Sequence, residues 1–355
     1  MKIRLFGWLG LPAILTTVSV VSAQEEVSRP DDHAPIGVMG DHYHEAGEFM
    51  FSYRYMSMNM QGNAAGSASL SPDSIVTGIP NRFFGMPMQP PTLRVVPTGM
   101  TMDMQMLGIM YAPNDRVTLM AMTNHVTREM EHITYMGGMG TTVLGGFRTR
   151  TSGIGDTSLS ALIRLYEDDR RRLHLNAGIS IPTGSTDETG TILTPMNTMP
   201  TPRLPYPMQL GSGSYDFLPG LSYTSFLSDR SSFGVQWSGT LRTSDNDEGY
   251  SLGDEHRLTA WYARLISDRL SWSARLAWFD RSNIDGIDPL IVAPVQTADP
   301  ALQGATRTDF SLGLNFTVPK GHRLAIEYSV PVSQDLDGPQ LETDDQVTFG
   351  YQYSF

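Results

Sequence analysis

Along most of this chain, apolar and polar side chains alternate one for one. In Gln346 to Phe355, Val347, Phe349, Tyr351, Tyr353 and Phe355 fall on one side, and Gln346, Thr348, Gly350, Gln352 and Ser354 on the other. A strand has a period of two, so this spacing gives one aromatic face and one polar face. The alternation recurs near 47–60, 100–112, 115–126, 154–166, 171–182, 214–227, 231–242, 255–266, 269–280, 307–318, 321–332 and 345–355. It predicts about twelve strands. Phe233, Val235, Trp237 and Leu241 oppose Gln236, Ser238 and Thr240, and Leu173, Leu175, Ala177, Ile179 and Ile181 oppose His174, Asn176, Gly178 and Ser180. Leu324, Ile326, Tyr328, Val330 and Val332 likewise oppose Arg323, Ala325, Glu327 and Ser329. Only Arg257 to Ile266 is ambiguous, because Trp261 and Tyr262 claim opposite faces.

The connections alternate in length. Ala112-Pro113-Asn114-Asp115, Glu167 to Arg170, Ser228-Asp229-Arg230, Ser267-Asp268-Arg269 and Pro319-Lys320-Gly321 are hairpin turns by composition. Between them, 61–99, 127–153, 183–213, 243–254, 281–306 and 333–344 read as long loops rich in Gly, Pro, Ser, Thr and Asp. Short turns at one end and long loops at the other are the habit of outer-membrane barrels, whose lipid face takes every second residue. The fold class expected is all-β: a transmembrane antiparallel β-barrel of about twelve strands.

Residues 1–23 read as a secretory signal peptide, with Lys2 and Arg4 before the apolar run Leu5 to Val21 and small residues at Val21-Ser22-Ala23. Residues 24–46 are polar and read as a periplasmic N-terminal segment, leaving 47–355 for one barrel domain. No later stretch approaches the ~20 apolar residues of a spanning helix. The formal net charge of −12 becomes −14 once Lys2 and Arg4 are removed, which argues against nucleic acid as partner. Cysteine is absent, so disulfides, thiolate metal sites and cysteine nucleophiles are excluded.

Methionine adds a second pattern. Of 21 methionines, 17 lie between Met39 and Met139 and none follows Met208. Met50, Met56, Met58 and Met60 share one strand face with Ser52 and Arg54; Met100, Met102, Met104, Met106 and Met110 share another, and Met120 and Met122 a third. Their polar companions place them in the lumen, as one thioether patch on three adjacent strands. His125, Met130 and His132, with Met136 and Met139, would continue it toward the outer mouth. Thioethers are soft ligands suited to Cu(I), so a copper ion is the cofactor this patch would take; they also make an adaptable wall for apolar solutes. His33, His42 and His44, near Asp41, Glu45 and Met39, form a separate candidate for a divalent ion, matching no closed zinc spacing.

Arg54, Asp156, Arg164, His174, Arg323 and Glu327 form the expected inward polar set, as a bracing network or a selective lining. Gly153 to Asp156 and Gly211 to Gly213 resemble phosphate loops but precede no helical pattern, so they read as strand starts and bends. A hydrolase would need a serine, a histidine and an orienting group; Asn124-His125 is the nearest candidate and has no serine in sequence. Glu131-His132 is too short for a zinc-hydrolase helix motif. No catalytic residue is expected.

The chain resembles an uncharacterised family of outer-membrane transporter-like proteins, similar to the family labelled "MetA-pathway of phenol degradation". The resemblance runs through Ala34-Pro35-Ile36-Gly37-Val38-Met39-Gly40-Asp41-His42, Ser52-Tyr53-Arg54-Tyr55-Met56, Gly153 to Leu165, Ser180-Ile181-Pro182-Thr183-Gly184, and Gly211 to Tyr223 with Leu218-Pro219-Gly220. It implies an outer-membrane barrel that passes small aromatic or other apolar compounds, and it supplies no substrate residues. The expected role is thus a non-enzymatic channel for small solutes. The rivals are a Met/His-lined barrel for soft metal ions and an outer-membrane hydrolase. The expected partners are outer-membrane lipid, lipopolysaccharide and a small solute or ion, with the oligomeric state open.

Overall fold

A computed structural model describes residues 29–355. The expected signal peptide and the first residues after it lie outside the described residues. The chain forms β1 (Phe49–Gly66), a short return strand β2 (Ala68–Leu70) and helix α1 (Pro72–Gly78), capped by the Ser71 side chain on Ser74 N–H. Then come β3 (Val95–Asn114), β4 (Val117–Tyr135), β5 (Val143–Ile154), β6 (Thr157–Glu167), β7 (Arg171–Ile181), β8 (Asp216–Ser228) and β9 (Ser231–Arg242). The remainder is β10 (Tyr250–Ser251), β11 (Glu255–Ser267), β12 (Leu270–Arg281), β13 (Asp285–Gly286), β14 (Ala305–Val318) and β15 (His322–Ser354).

Eleven of these close an antiparallel ring in the order β1-β3-β4-β6-β7-β8-β9-β11-β12-β14-β15, with β15 pairing back to β1. β15 crosses the wall twice. Its first arm pairs with β14 and its second with β1, while Ser354 N–H to Gly321 O (3.0 Å) and Gln334 to Thr343 hold the arms side by side. The wall therefore has the expected twelve crossings. β6 and β5 pair successive halves of β4 and act as one strand broken at Gly155-Asp156.

Two expected loops are corrected. Most of 127–153 is strand, since β4 runs to Tyr135 and β5 starts at Val143; 333–344 is likewise paired. Charged residues here occupy the outer face as well, where Arg148 pairs with Glu129 and Glu131. Pairing continues after the apolar alternation ends, so the periodicity stops before the strand does.

The two faces are reversed relative to a water-soluble protein. Leu107, Ile109, Leu175, Ile179, Trp237, Leu276, Leu312, Ile326 and Phe349 stand exposed on the outside, while Ser222, Gln236, Ser271, Arg275, Asn315, Arg323, Glu327 and Gln352 are buried inside. So large a contiguous apolar exterior calls for a hydrocarbon solvent. No helix among the described residues is long and apolar enough to cross a membrane. The ambiguous strand β11 turns Trp261 inward, 2% exposed, and packs it on Ala34 and Val38. Its cross-strand partner is Gly234, where a Cβ would come within 2.1 Å of the indole.

Two outcomes follow from this interior. Gly234→Val forces the indole out of its seat and is expected to cost about 1–3 kcal/mol, the usual range for overpacking, seen as a lower thermal midpoint in detergent. Glu327→Ala leaves the Arg275 guanidinium, held at 2.6 Å by Glu327 Oε1, as an unmatched buried charge. The expected loss is about 3–5 kcal/mol, and an unchanged midpoint would mean that water already solvates Arg275.

Candidate functional site

Residues 29–46, expected as a lead-in to the barrel, lie inside the ring. Their backbone is hydrogen-bonded by groups from all around it. The Pro30 carbonyl accepts from Ser271 on β12, Asp31 O from Ser232 on β9, and Ala34 O from Arg323 on β15 (2.6 Å). Gly40 O accepts from His174 Nε2 on β7 (2.9 Å), Met39 O accepts from Gln236 on β9, and His44 N–H donates to Thr118 on β4. Only a segment within the lumen can meet five strands at once. Gly37 sits where a Cβ would lie 2.2 Å from Glu327 Oε1 and 2.8 Å from Arg275 Nη2. The plug thus needs glycine at its closest approach to the wall.

The plug folds back on itself. Val38 N–H to Pro35 O closes a turn (2.9 Å), Gly40 takes a left-handed φ of 60°, and Asp41 Oδ2 accepts Ala34 N–H at 3.0 Å. This brings His33 beside Asp41 and His42, with one donor atom from each within 4.8 Å of the others. The His33 and His42 rings meet edge to face at 4.7 Å, and His42 and His44 at 5.0 Å. His42 Nδ1 lies 3.0 Å from Asp41 Oδ1, close enough for an ion pair but off line for a hydrogen bond, and its Nε2 has no hydrogen-bond partner among the described residues. Glu48 holds His44 Nδ1 at 3.2 Å, leaving His44 Nε2 buried with no hydrogen-bond partner among the described residues. Burial pushes the His33 imidazole well below its ordinary value, with Arg323 and His42 adding to the shift. Burial also lowers His44, against the opposing pull of Glu48. For Asp41, burial favours the neutral acid, but His42, Arg323 and His33 outweigh it and hold the carboxyl well below its usual range. Three imidazoles beside a carboxylate form a nitrogen- and oxygen-rich donor set.

Past the plug, the methionines form the wall the alternation implies. Met56 faces Met104, Met58 faces Met102, and Met60 faces Met100 across β1 and β3; Met100 faces Met130 across β3 and β4. Met106 is buried on the same face, opposite Asn124. Met58, Met60, Met100, Met102 and Met130 line part of a cavity of about 370 Å³, which shares Glu255, Arg257 and Phe279 with a second of about 200 Å³. Phe279 is flanked by two guanidiniums, Arg257 at 5.1 Å and Arg307 at 5.8 Å from its ring centre. Met39, on the plug, reaches the smaller cavity. The long-loop end is covered by an apolar cluster of Phe83, Tyr206, Tyr250, Ile291 and Val295. The chamber lies between plug and cap.

His125 does not join this wall. Even-numbered residues of β4 face inward, so His125 is exposed on the outer face between Gln105 and Ile154, neither of them a serine. Its neighbour Asn124 donates to Asp156 O instead. His132 is buried, stacked on Phe147 at 4.5 Å. Met136 and Met139 are exposed in the β4–β5 turn. Asp156 joins the two glycine-rich motifs: it accepts from Gly184 N–H and from Ser212 N–H and Oγ, pinning the strand break to the loop after β7. Arg164 pairs with Glu167 at 2.6 Å and lies over the Tyr43 ring of the plug at 4.5 Å. Arg54 is buried inside the wall with Nε and Nη1 lacking a hydrogen-bond partner among the described residues.

Gln236 bonds the plug backbone and Arg275 packs against Gly37, and neither is among the residues expected there. Arg275 was readable, since it shares a face of β12 with Ser271 and Ser273. Gln236 bonds backbone carbonyls of the plug, which a sequence does not display.

No protein-family model and no curated protein sequence matches the chain. Among solved structures, an outer membrane channel from Pseudomonas putida F1 aligns with TM-score 0.58 at 14% identity, over 90% of this chain and 99% of that one. The TodX monoaromatic hydrocarbon channel aligns at TM-score 0.44 and 9% identity, over 88% and 91% of the two chains. A Pseudomonas aeruginosa FadL homologue aligns at 0.39 and 12%, over 86% and 89%. At these identities the first shares the barrel fold with this chain.

Proposed function

We propose that the protein is an outer-membrane channel for small, largely apolar solutes, held closed by residues 29–46. One observation carries the reading: a barrel with an apolar exterior encloses a chamber of about 370 Å³, thioether-lined on one side, between an inserted plug and a loop cap. Cavities of ~300–1,000 Å³ with mostly apolar walls and a few fixed polar groups are typical of small-molecule sites. Flexible thioethers conform to differently shaped solutes. The guanidiniums beside Phe279 suit an aromatic ring bearing a negative group. The resemblance to the phenol-degradation family implies this class of cargo, and the Pseudomonas putida channel shares the barrel fold. In this reading the surrounding partners are outer-membrane lipid and lipopolysaccharide.

A second reading has one specific support. The cross-strand methionine pairs form a continuous ladder of soft ligands, which suits passage of Cu(I) or Ag(I).

The plug provides the test. Gly37→Val adds methyl groups where Glu327 and Arg275 already touch the backbone and is expected to unseat residues 29–46. Liposomes carrying this variant should take up a single-ring aromatic acid about tenfold faster than those with the unaltered chain, with the barrel intact by circular dichroism. Equal uptake, together with equal uptake after deletion of 29–46, would refute a gated channel. Met102→Leu with Met104→Leu and Met106→Leu should preserve aromatic uptake; a selective loss of Ag(I) passage would favour the second reading.

A further inference from the structure

The imidazole cluster of the plug has a chemistry that passive transport does not use. We propose that His33, Asp41, His42 and His44 bind one divalent first-row transition-metal ion, and that this ion fastens the plug in its folded-back form. The site stands whether or not the barrel conducts.

Position is the first argument. Donor atoms of His33, Asp41 and His42 already lie within 4.8 Å of one another. Ligands around a tetrahedral ion with ~2.05 Å bonds are roughly 3.3 Å apart, so small ring rotations complete the set. The off-line 3.0 Å approach of His42 Nδ1 to Asp41 Oδ1 is already near that spacing.

Orientation is the second. Metal-binding imidazoles present one nitrogen to the ion while a carboxylate or carbonyl fixes the other. Glu48 does this for His44 through Nδ1, which leaves Nε2 buried and without a hydrogen-bond partner. Asp41 is fixed by Ala34 N–H through Oδ2, which leaves Oδ1 toward His42. A buried polar nitrogen with no partner costs free energy, and a metal ion bound at the cluster would satisfy His44 Nε2, which has none among the described residues.

Charge is the third. Asp41 and Glu48 supply two negative charges near the guanidiniums of Arg54 and Arg323, the latter engaged by Gln352, Asn315 and Ala34 O. Three imidazoles with a carboxylate favour Cu(II), Zn(II), Ni(II) or Co(II) over Ca(II) or Mg(II), which prefer oxygen. This also separates the site from the thioether wall, whose preference is for Cu(I). The topology then supplies the consequence, because the ligands come from both arms of the loop around Pro35–Val38.

The experiment uses the detergent-solubilised protein, stripped with a chelator and titrated separately with Cu(II), Zn(II) and Co(II). One ion per chain is expected, with the visible absorption of low-symmetry Co(II). His42→Ala should weaken binding by more than about 100-fold, and Glu48→Gln by about 10- to 100-fold, as for an outer-shell partner. His125→Ala and the triple Met102, Met104 and Met106 leucine variant should bind as the unaltered chain does. Hydrogen exchange of residues 29–46 should slow about tenfold on metal addition. Equal exchange with and without metal overturns the fastening. Absence of a stoichiometric ion, unchanged binding in a folded His42→Ala, or loss of binding in the methionine variant overturns the site.

Discussion

Hydrocarbon offers backbone amides no hydrogen-bond partner, and that constraint shapes this protein. Every strand in the wall must find its neighbours within the protein, so the sheet has to close, and β15 returns to β1 along a register from Met50–Ser354 to Gly66–Leu336. Closure fixes the side chains as well. With a period of two, each strand gives half of its residues to lipid and half to the interior. Serines, glutamines and arginines can then be buried in numbers that no ordinary apolar core would accept.

A polar interior brings its own requirement. Arg275, Arg323, Gln236 and His174 need partners, and much of what they find is the backbone of residues 29–46 together with Glu327, Asn315 and Gln352. The plug and the wall satisfy each other. Trp261 adds an apolar contact to Ala34 and Val38 against a wall position kept clear by Gly234. The methionine side of the lumen makes few such bonds, and open space remains there.

The barrel was legible because alternation reports strand period directly, and Asp-, Asn- and Gly-bearing turns mark the short connections. The strand extensions to Tyr135 and from Val143 were not, because Glu129, Glu131 and Arg148 are polar residues on an outer face that has already left the apolar belt. The methionine ladder was legible face by face, and its pairing follows from the turn between β3 and β4 and the closure of β1 on β3. His33, His42 and His44 were visible as residue types. Their meeting depends on the Pro35–Val38 turn and on Asp41 capping Ala34 N–H, which no spacing rule encodes. The sequence leaves open whether residues 24–46 enter the barrel, because the plug is held mostly through its backbone carbonyls, the same in every residue. His125 was grouped with Met130 and His132, but its odd position on β4 turns it to the other face.

The plug precedes the first strand of the ring and is held by side chains from β4, β7, β9, β12 and β15. The seam joins the first strand to the last, so the N-terminal segment cannot be threaded through a completed cylinder without passing one of its mouths. The seat for residues 29–46 is therefore complete only once β4, β7, β9, β12 and β15 have been brought into one ring. Ring closure and lumen filling are thus two aspects of one assembly, since the same five strands that share the wall also share the plug.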